Sequence, residues 1–97
     1  MSVRVIFRPE AETEAYEAFD WYESNRQGVG VEFRSALQLT IQRIAEHPTS
    51  YAPEHRQLRH ALVRRFPYGV YFRIVGDVVV VVGIIHLKRH PGVAKTR

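Results

Sequence analysis

Residues 68–86 read YGVYFRIVGDVVVVVGIIH, and this stretch decides the fold. Its first eight residues are mostly β-branched or aromatic, and its last nine hold five consecutive valines and two isoleucines. Between them sits Gly76-Asp77, a two-residue turn with glycine first, as a type II′ hairpin turn demands. The pattern predicts an antiparallel hairpin of residues 68–75 and 78–86. With Val75 opposite Val78, strict alternation puts Tyr68, Val70, Phe72 and Ile74 on one face with Val79, Val81, Gly83 and Ile85. The other face then carries Gly69, Tyr71 and Arg73 with Val78, Val80, Val82, Ile84, His86 and Lys88. Arg73 marks this second face as the outer one.

Working outward, "VRVIF" alternates and is β-branched, so residues 3–7 read as a short strand. Pro9 suits a first helical turn, and Glu10 and Glu12 suit the positive end of a helix dipole. Ala11, Ala15, Ala18, Phe19 and Tyr22 recur at three- and four-residue spacing, which makes one apolar helical face. "NRQGVG" breaks that helix. A second is predicted over residues 29–46, with Phe33, Leu37, Thr40, Ile41 and Ile44 inward and Pro48 ending it. The two helices form an antiparallel hairpin. Trp21 and Tyr22 help to close it, with stacking on a nucleic-acid base as their alternative role, whereas Asp20 and Glu23 read as solvated. A loop, "HPTSYAPEH", leads to a further strand over residues 58–64.

The 97 residues make a single domain, 1–97, with enough chain for one sheet and one helical layer. The helix hairpin therefore covers one face of the sheet. Val78, Val80, Val82, Ile84 and Tyr71 are left on the other, a strip on the order of a few hundred Å², where apolar patches begin to signal a partner.

Composition excludes several functions. Apolar content is 45% and charged content 25%, which suits a globular chain. There is no cysteine, so disulfide scaffolds and thiol nucleophiles are excluded. The N-terminus carries no signal-peptide core and no apolar run approaches membrane-spanning length; a cytoplasmic protein without a membrane role is expected. Net charge is +4, unevenly placed. Residues 1–47 hold five arginines against eight acids, whereas residues 48–97 hold nine Lys or Arg against Glu54 and Asp77 alone. The basic half favours an acidic partner or a polyanion. No metal site is expected. His86 and His90 are spaced for a helix but straddle a strand end, and His55 and His60 lie in or beside a loop without a carboxylate cluster. Gly28-x-Gly30 follows a helix rather than a strand, so it is no phosphate cradle. No cofactor is indicated.

The C-terminal half resembles the RelE/ParE superfamily of type II toxin–antitoxin toxins, and its ParE-like branch in particular. The resemblance rests on an Arg-Phe-Pro-Tyr lead-in, a Val-Tyr-x-Arg strand, a Gly-Asp turn, a β-branched strand and a His-x-x-Arg-x-Pro end. These are Arg65, Phe66, Pro67, Tyr68, Val70, Tyr71, Arg73, Gly76, Asp77, His86, Arg89 and Pro91. The N-terminal strand and paired helices fit as well. The resemblance implies an α+β fold: an N-terminal strand, an antiparallel helix hairpin, then a three-stranded antiparallel meander, in one sheet covered on one face. It also implies an antitoxin (ParD-like) that lays a segment across the toxin in a hetero-oligomer. The outer strip offers that segment Tyr71, Arg73, Val78, Val80, Val82 and Ile84.

Within the superfamily, ParE-like members are associated with poisoning DNA gyrase without known chemistry of their own, and RelE-like members cut mRNA on the ribosome. Metal-free RNA cleavage needs a base, an acid and cations for the phosphorane. Where RelE-like ribonucleases place an arginine beside the tyrosine opening the third strand, this chain has Gly69. Arg89 matches their basic residue at the last strand's end, but "GVAKTR" lacks their later tyrosine. The expectation is a gyrase-binding toxin with no catalytic residue, contacting its target through Arg65, His86, Lys88, Arg89 and His90. The alternatives are a ribosome-dependent endoribonuclease using Arg65, His86 and Arg89, or a non-toxic basic interaction domain.

Overall fold

The hairpin forms where the sequence puts it. In the computed structural model, which describes residues 2–97, strands β3 (Tyr68–Val75) and β4 (Val78–His86) flank Gly76. Gly76 has φ 62°, a conformation glycine adopts without a Cβ penalty, and Val75 faces Val78. Ahead of them come β1 (Arg4–Phe7), helix α1 (Pro9–Asn25), helix α2 (Val29–Glu46) and β2 (Arg59–Leu62). Short 3-10 turns occur at Pro48–Ser50, His55–Gln57 and Val93–Thr96.

The sheet runs β1-β4-β3-β2. β2, β3 and β4 form the antiparallel meander, but β1 lies parallel to β4, with Arg4 opposite Val78 and Phe7 opposite Val81. The sheet is therefore mixed. The valine run is central, with strands on both edges, and it is continuous rather than alternating because both of its faces are covered, Val79 and Val81 on the helix side and Val80 and Val82 on the other.

α1 and α2 pack on one face. Phe33, Leu37 and Ile44 of α2 and Ala11 and Ala18 of α1 are buried against Phe72, Val79 and Val81. Two glycines and a glutamate make the tight connection between the helices. Gly28 turns the chain at φ 91°, and a Cβ on Gly30 would lie 2.7 Å from the Phe19 carbonyl oxygen. Glu23 is not solvated as its helical position suggests. Its two carboxylate oxygens accept the Gly28 and Gly30 N–H groups at 2.9 Å each, capping α2, where an acid is favoured by the exposed amides and the dipole.

Two expectations about the outer face are corrected. Strict alternation fails at a β-bulge: Phe72 pairs Val81, but Tyr71 pairs Gly83, so β4 holds one extra residue, Val82. Every side chain beyond it changes face. Ile84 joins the helix-side core, and Ile85 joins Tyr71 and Val82 on the outer side. His86 faces Tyr68 across the ladder and moves to the helix side with it. Nor is the outer strip bare. Leu58, Val93 and Ala94 lie over it, and Tyr71 and Val82 are only 7% and 3% exposed. The C-terminal tail folds back over this face as the Val93–Thr96 turn.

Candidate functional site

The basic residues gather at one end of the sheet because two turns meet there. The β2–β3 turn is closed by Val63 N–H to the Tyr68 carbonyl at 2.9 Å, with Arg65 in the left-handed region at φ 70°. Such a conformation costs a non-glycine residue on the order of 1 kcal/mol. The turn after β4 is joined to it by Leu87 N–H donating to the Pro67 carbonyl at 2.9 Å. Arg64 and Arg65 thus sit on the turn that abuts the one bearing Lys88, Arg89 and His90. All five are exposed, and none makes an ion pair among the described residues.

His86 shapes the second turn. Its Nδ1 accepts the backbone N–H groups of Lys88 at 3.2 Å and Arg89 at 3.1 Å. An accepting Nδ1 leaves the ring proton on Nε2. Burial lowers its pKa from the usual value, and the neighbouring Arg89, His90 and Lys88 lower it further, so the ring is neutral at pH 7. Its edge meets the Tyr68 ring with centroids 5.1 Å apart.

An aromatic cluster supports this end. Tyr22 stacks on Phe33 and meets Phe66 edge-on. Trp21 packs edge-to-face on Tyr22, and the Arg89 guanidinium lies over the Trp21 ring, 5.4 Å from its centroid. Burial raises the pKa of both Tyr22 and Tyr68, with Arg89 opposing. Both phenols are neutral donors at pH 7.

The residues read as antitoxin contacts separate in space. Arg73, Val78 and Val80 are partly exposed on the outer face, and Arg73 Nε donates to the Arg56 carbonyl at 3.1 Å. Tyr71 and Val82 lie beneath the covering segments, and Ile84 is on the opposite face. Of the target-binding set, Arg65, Lys88, Arg89 and His90 are exposed on the two joined turns, Arg65 beside α2 and Arg89 and His90 beside α1, whereas His86 turns inward.

Three features escaped the sequence. Glu14 and Arg97 pair across the free part of the β4 edge. Glu54 pairs with His60 Nδ1 at 2.5 Å, and the His60 ring stacks on Tyr71. Glu23 caps α2. The charge pairs have no local signal, since their partners meet only through tertiary structure. The Glu23 cap lies near the Gly28-x-Gly30 turn and was the most accessible of the three. Among the described residues no group of three His, Asp or Glu side chains converges as a metal ion would require.

A family model described as the ParE toxin of the type II toxin–antitoxin system parDE matches residues 5–91. The chain belongs to the ParE toxin family. Membership makes it the toxin of a type II module and implies an antitoxin partner. Among solved structures, the chain is similar to one from a chromosomal ParDE toxin–antitoxin system of P. aeruginosa. The TM-score is 0.77 at 13% identity, covering 88% of this chain and 96% of that one. At that identity the likeness confirms the ParE fold and nothing finer. No curated protein matches the sequence. Among the described residues, no helix of this ParE toxin is long and apolar enough to cross a membrane.

Proposed function

We propose that this ParE toxin inhibits DNA gyrase by binding it through the basic end of the sheet, and that its antitoxin neutralises it in a hetero-oligomer. The observation that carries the non-catalytic reading is the state of His86. As a general base, its ring nitrogen would need to reach a substrate hydroxyl. Instead Nδ1 is committed to two backbone amides, and burial, with the surrounding cations, lowers the ring's pKa, which disfavours a role as general acid. Arg65, Lys88 and Arg89 then act as docking charges, with His90 beside them, on the two joined turns. On this reading the antitoxin segment runs along Arg73, Val78 and Val80, with Tyr71 and Val82 as the floor beneath it.

Induced expression in a bacterial host, followed by parallel assays of plasmid supercoiling and mRNA decay, tests the proposal. Relaxation or breakage of DNA with intact mRNA is expected. Codon-specific cuts in mRNA with unchanged supercoiling would overturn it in favour of an endoribonuclease, and neither effect would leave a non-toxic interaction domain.

A further inference from the structure

A groove of about 390 Å³ opens beside the basic end, between α1 and the strand ends. Ala18 and Ile84 line its apolar part, Trp21 one wall, and Arg89 and His90 its rim. Trp21 is 49% exposed, unusual for a large aromatic, and already carries a guanidinium on its ring. Glu17 also lines the groove. It is exposed and makes no hydrogen bond or ion pair among the described residues, whereas its neighbour Glu14 is bound by Arg97.

The Arg89 guanidinium favours an anion and Trp21 favours a planar group. Glu17 decides between the anionic polymers. A carboxylate in the wall repels an acidic peptide but accepts hydrogen bonds from a base carrying adjacent N–H donors. Guanine presents two such donors on its Watson–Crick edge, which suits the two oxygens of a carboxylate. That edge and the base faces are available only when the base is unpaired. Stacking on an aromatic side chain beside a cationic track is how single strands are held. We propose that this groove binds an unpaired guanine of a single-stranded nucleic acid, which takes the place of the Arg89 guanidinium on the Trp21 ring and hydrogen-bonds Glu17, while Arg89 turns to a flanking phosphate beside Lys88. The site does not depend on gyrase being the target.

Trp21 is the only tryptophan in the chain, so its fluorescence reports the site directly. The probes are an octathymidine and the same octamer with one central guanine. The guanine octamer should quench Trp21 and bind about tenfold more tightly than octathymidine, with affinity falling as salt rises. Glu17→Gln, on an exposed position, should keep the fold by circular dichroism and lose the preference for guanine. Arg89→Ala should weaken both octamers and reduce the salt slope by about one. Equal binding of the two octamers, no quenching by either, or tighter binding of an oligoglutamate peptide than of the guanine octamer would each overturn the inference. Glu17→Gln should still inhibit gyrase in a supercoiling assay. Inhibition without guanine binding would sink this inference alone, and guanine binding without inhibition would sink the gyrase reading alone.

Discussion

Glu14 on α1 and Arg97 beyond the last 3-10 turn lie 83 residues apart in sequence and meet in a two-pronged ion pair, both N···O distances 2.8 Å. The pair occupies the stretch of β4 that β1 is too short to cover. Glu14 Oε1 also accepts the Ile84 N–H at 3.0 Å, and Arg97 donates to the Val82 carbonyl at 3.0 Å. The two side chains thus finish the strand edge at the bulge. They also tether the segment that covers Val82 and Ile85. Glu14→Ala should destabilise the protein by about 2 kcal/mol, because it strands the Ile84 N–H as well as Arg97. Arg97→Ala should cost about 1 kcal/mol, since Glu14 keeps the amide. Urea unfolding of both variants checks the order; wild-type midpoints in both would show that the edge bonds contribute nothing.

The bulge separates two valines that look equivalent in sequence. Val82 is 3% exposed, so Val82→Lys should cost about 3 kcal/mol or more through burial of a charge. Val80 is partly exposed, so Val80→Lys should stay within about 0.5 kcal/mol of wild type and weaken antitoxin binding about tenfold or more. Calorimetric titration of the folded Val80→Lys protein with antitoxin reads this directly, and wild-type affinity would remove the outer face from the docking site. On the helix side, Phe72 is fully buried, and Phe72→Ala should cost about 3–5 kcal/mol.

The helices, the hairpin and the register from Val75–Val78 to Arg73–Val80 were legible because period and turn chemistry are local. The face of Ile84 and His86 was not. One inserted residue inverts everything after it, and five consecutive valines carry no alternation to expose the slip. The one available sign was Gly83, since glycine inside a strand often marks a bulge. The parallel placement of β1 and the fold-back of residues 93–97 depend on contacts distant in sequence. The cationic end was visible as composition. Its joining of two turns through Leu87 and Pro67 was not.

His86 makes stability depend on pH. Its folded pKa lies below the unfolded value of about 6.5, so between the two the unfolded chain binds a proton that the folded chain refuses. The stability this neutral ring contributes is fully present above about pH 6.5 and is lost as pH falls through the folded value. His86→Asn keeps an acceptor oxygen near Nδ1 and cannot titrate. It should flatten the stability profile below pH 6.5, whereas His86→Ala should cost about 1 kcal/mol at pH 7.5 by freeing the Lys88 and Arg89 amides. Denaturation midpoints across pH 5–8 check both, and an unchanged slope in His86→Asn would remove His86 as the source.

Docking charges and catalytic groups respond differently to removal. His86→Ala should leave growth inhibition largely intact. Arg65→Ala with Arg89→Ala should reduce it, and in purified components the double variant should inhibit more weakly and with less dependence on ionic strength than wild type. Growth curves after induction, paired with titrations at two salt concentrations, separate the two cases. Complete loss of toxicity in His86→Ala with an intact fold would point to chemistry.

The central claim is that this ParE toxin acts by occupying gyrase. Its most direct test is titration of purified gyrase with purified toxin in a supercoiling assay. Inhibition should saturate with toxin, be relieved by the antitoxin and persist in His86→Ala. Full supercoiling at saturating toxin, with codon-specific cleavage of ribosome-bound mRNA abolished by His86→Ala or Arg89→Ala, would contradict it.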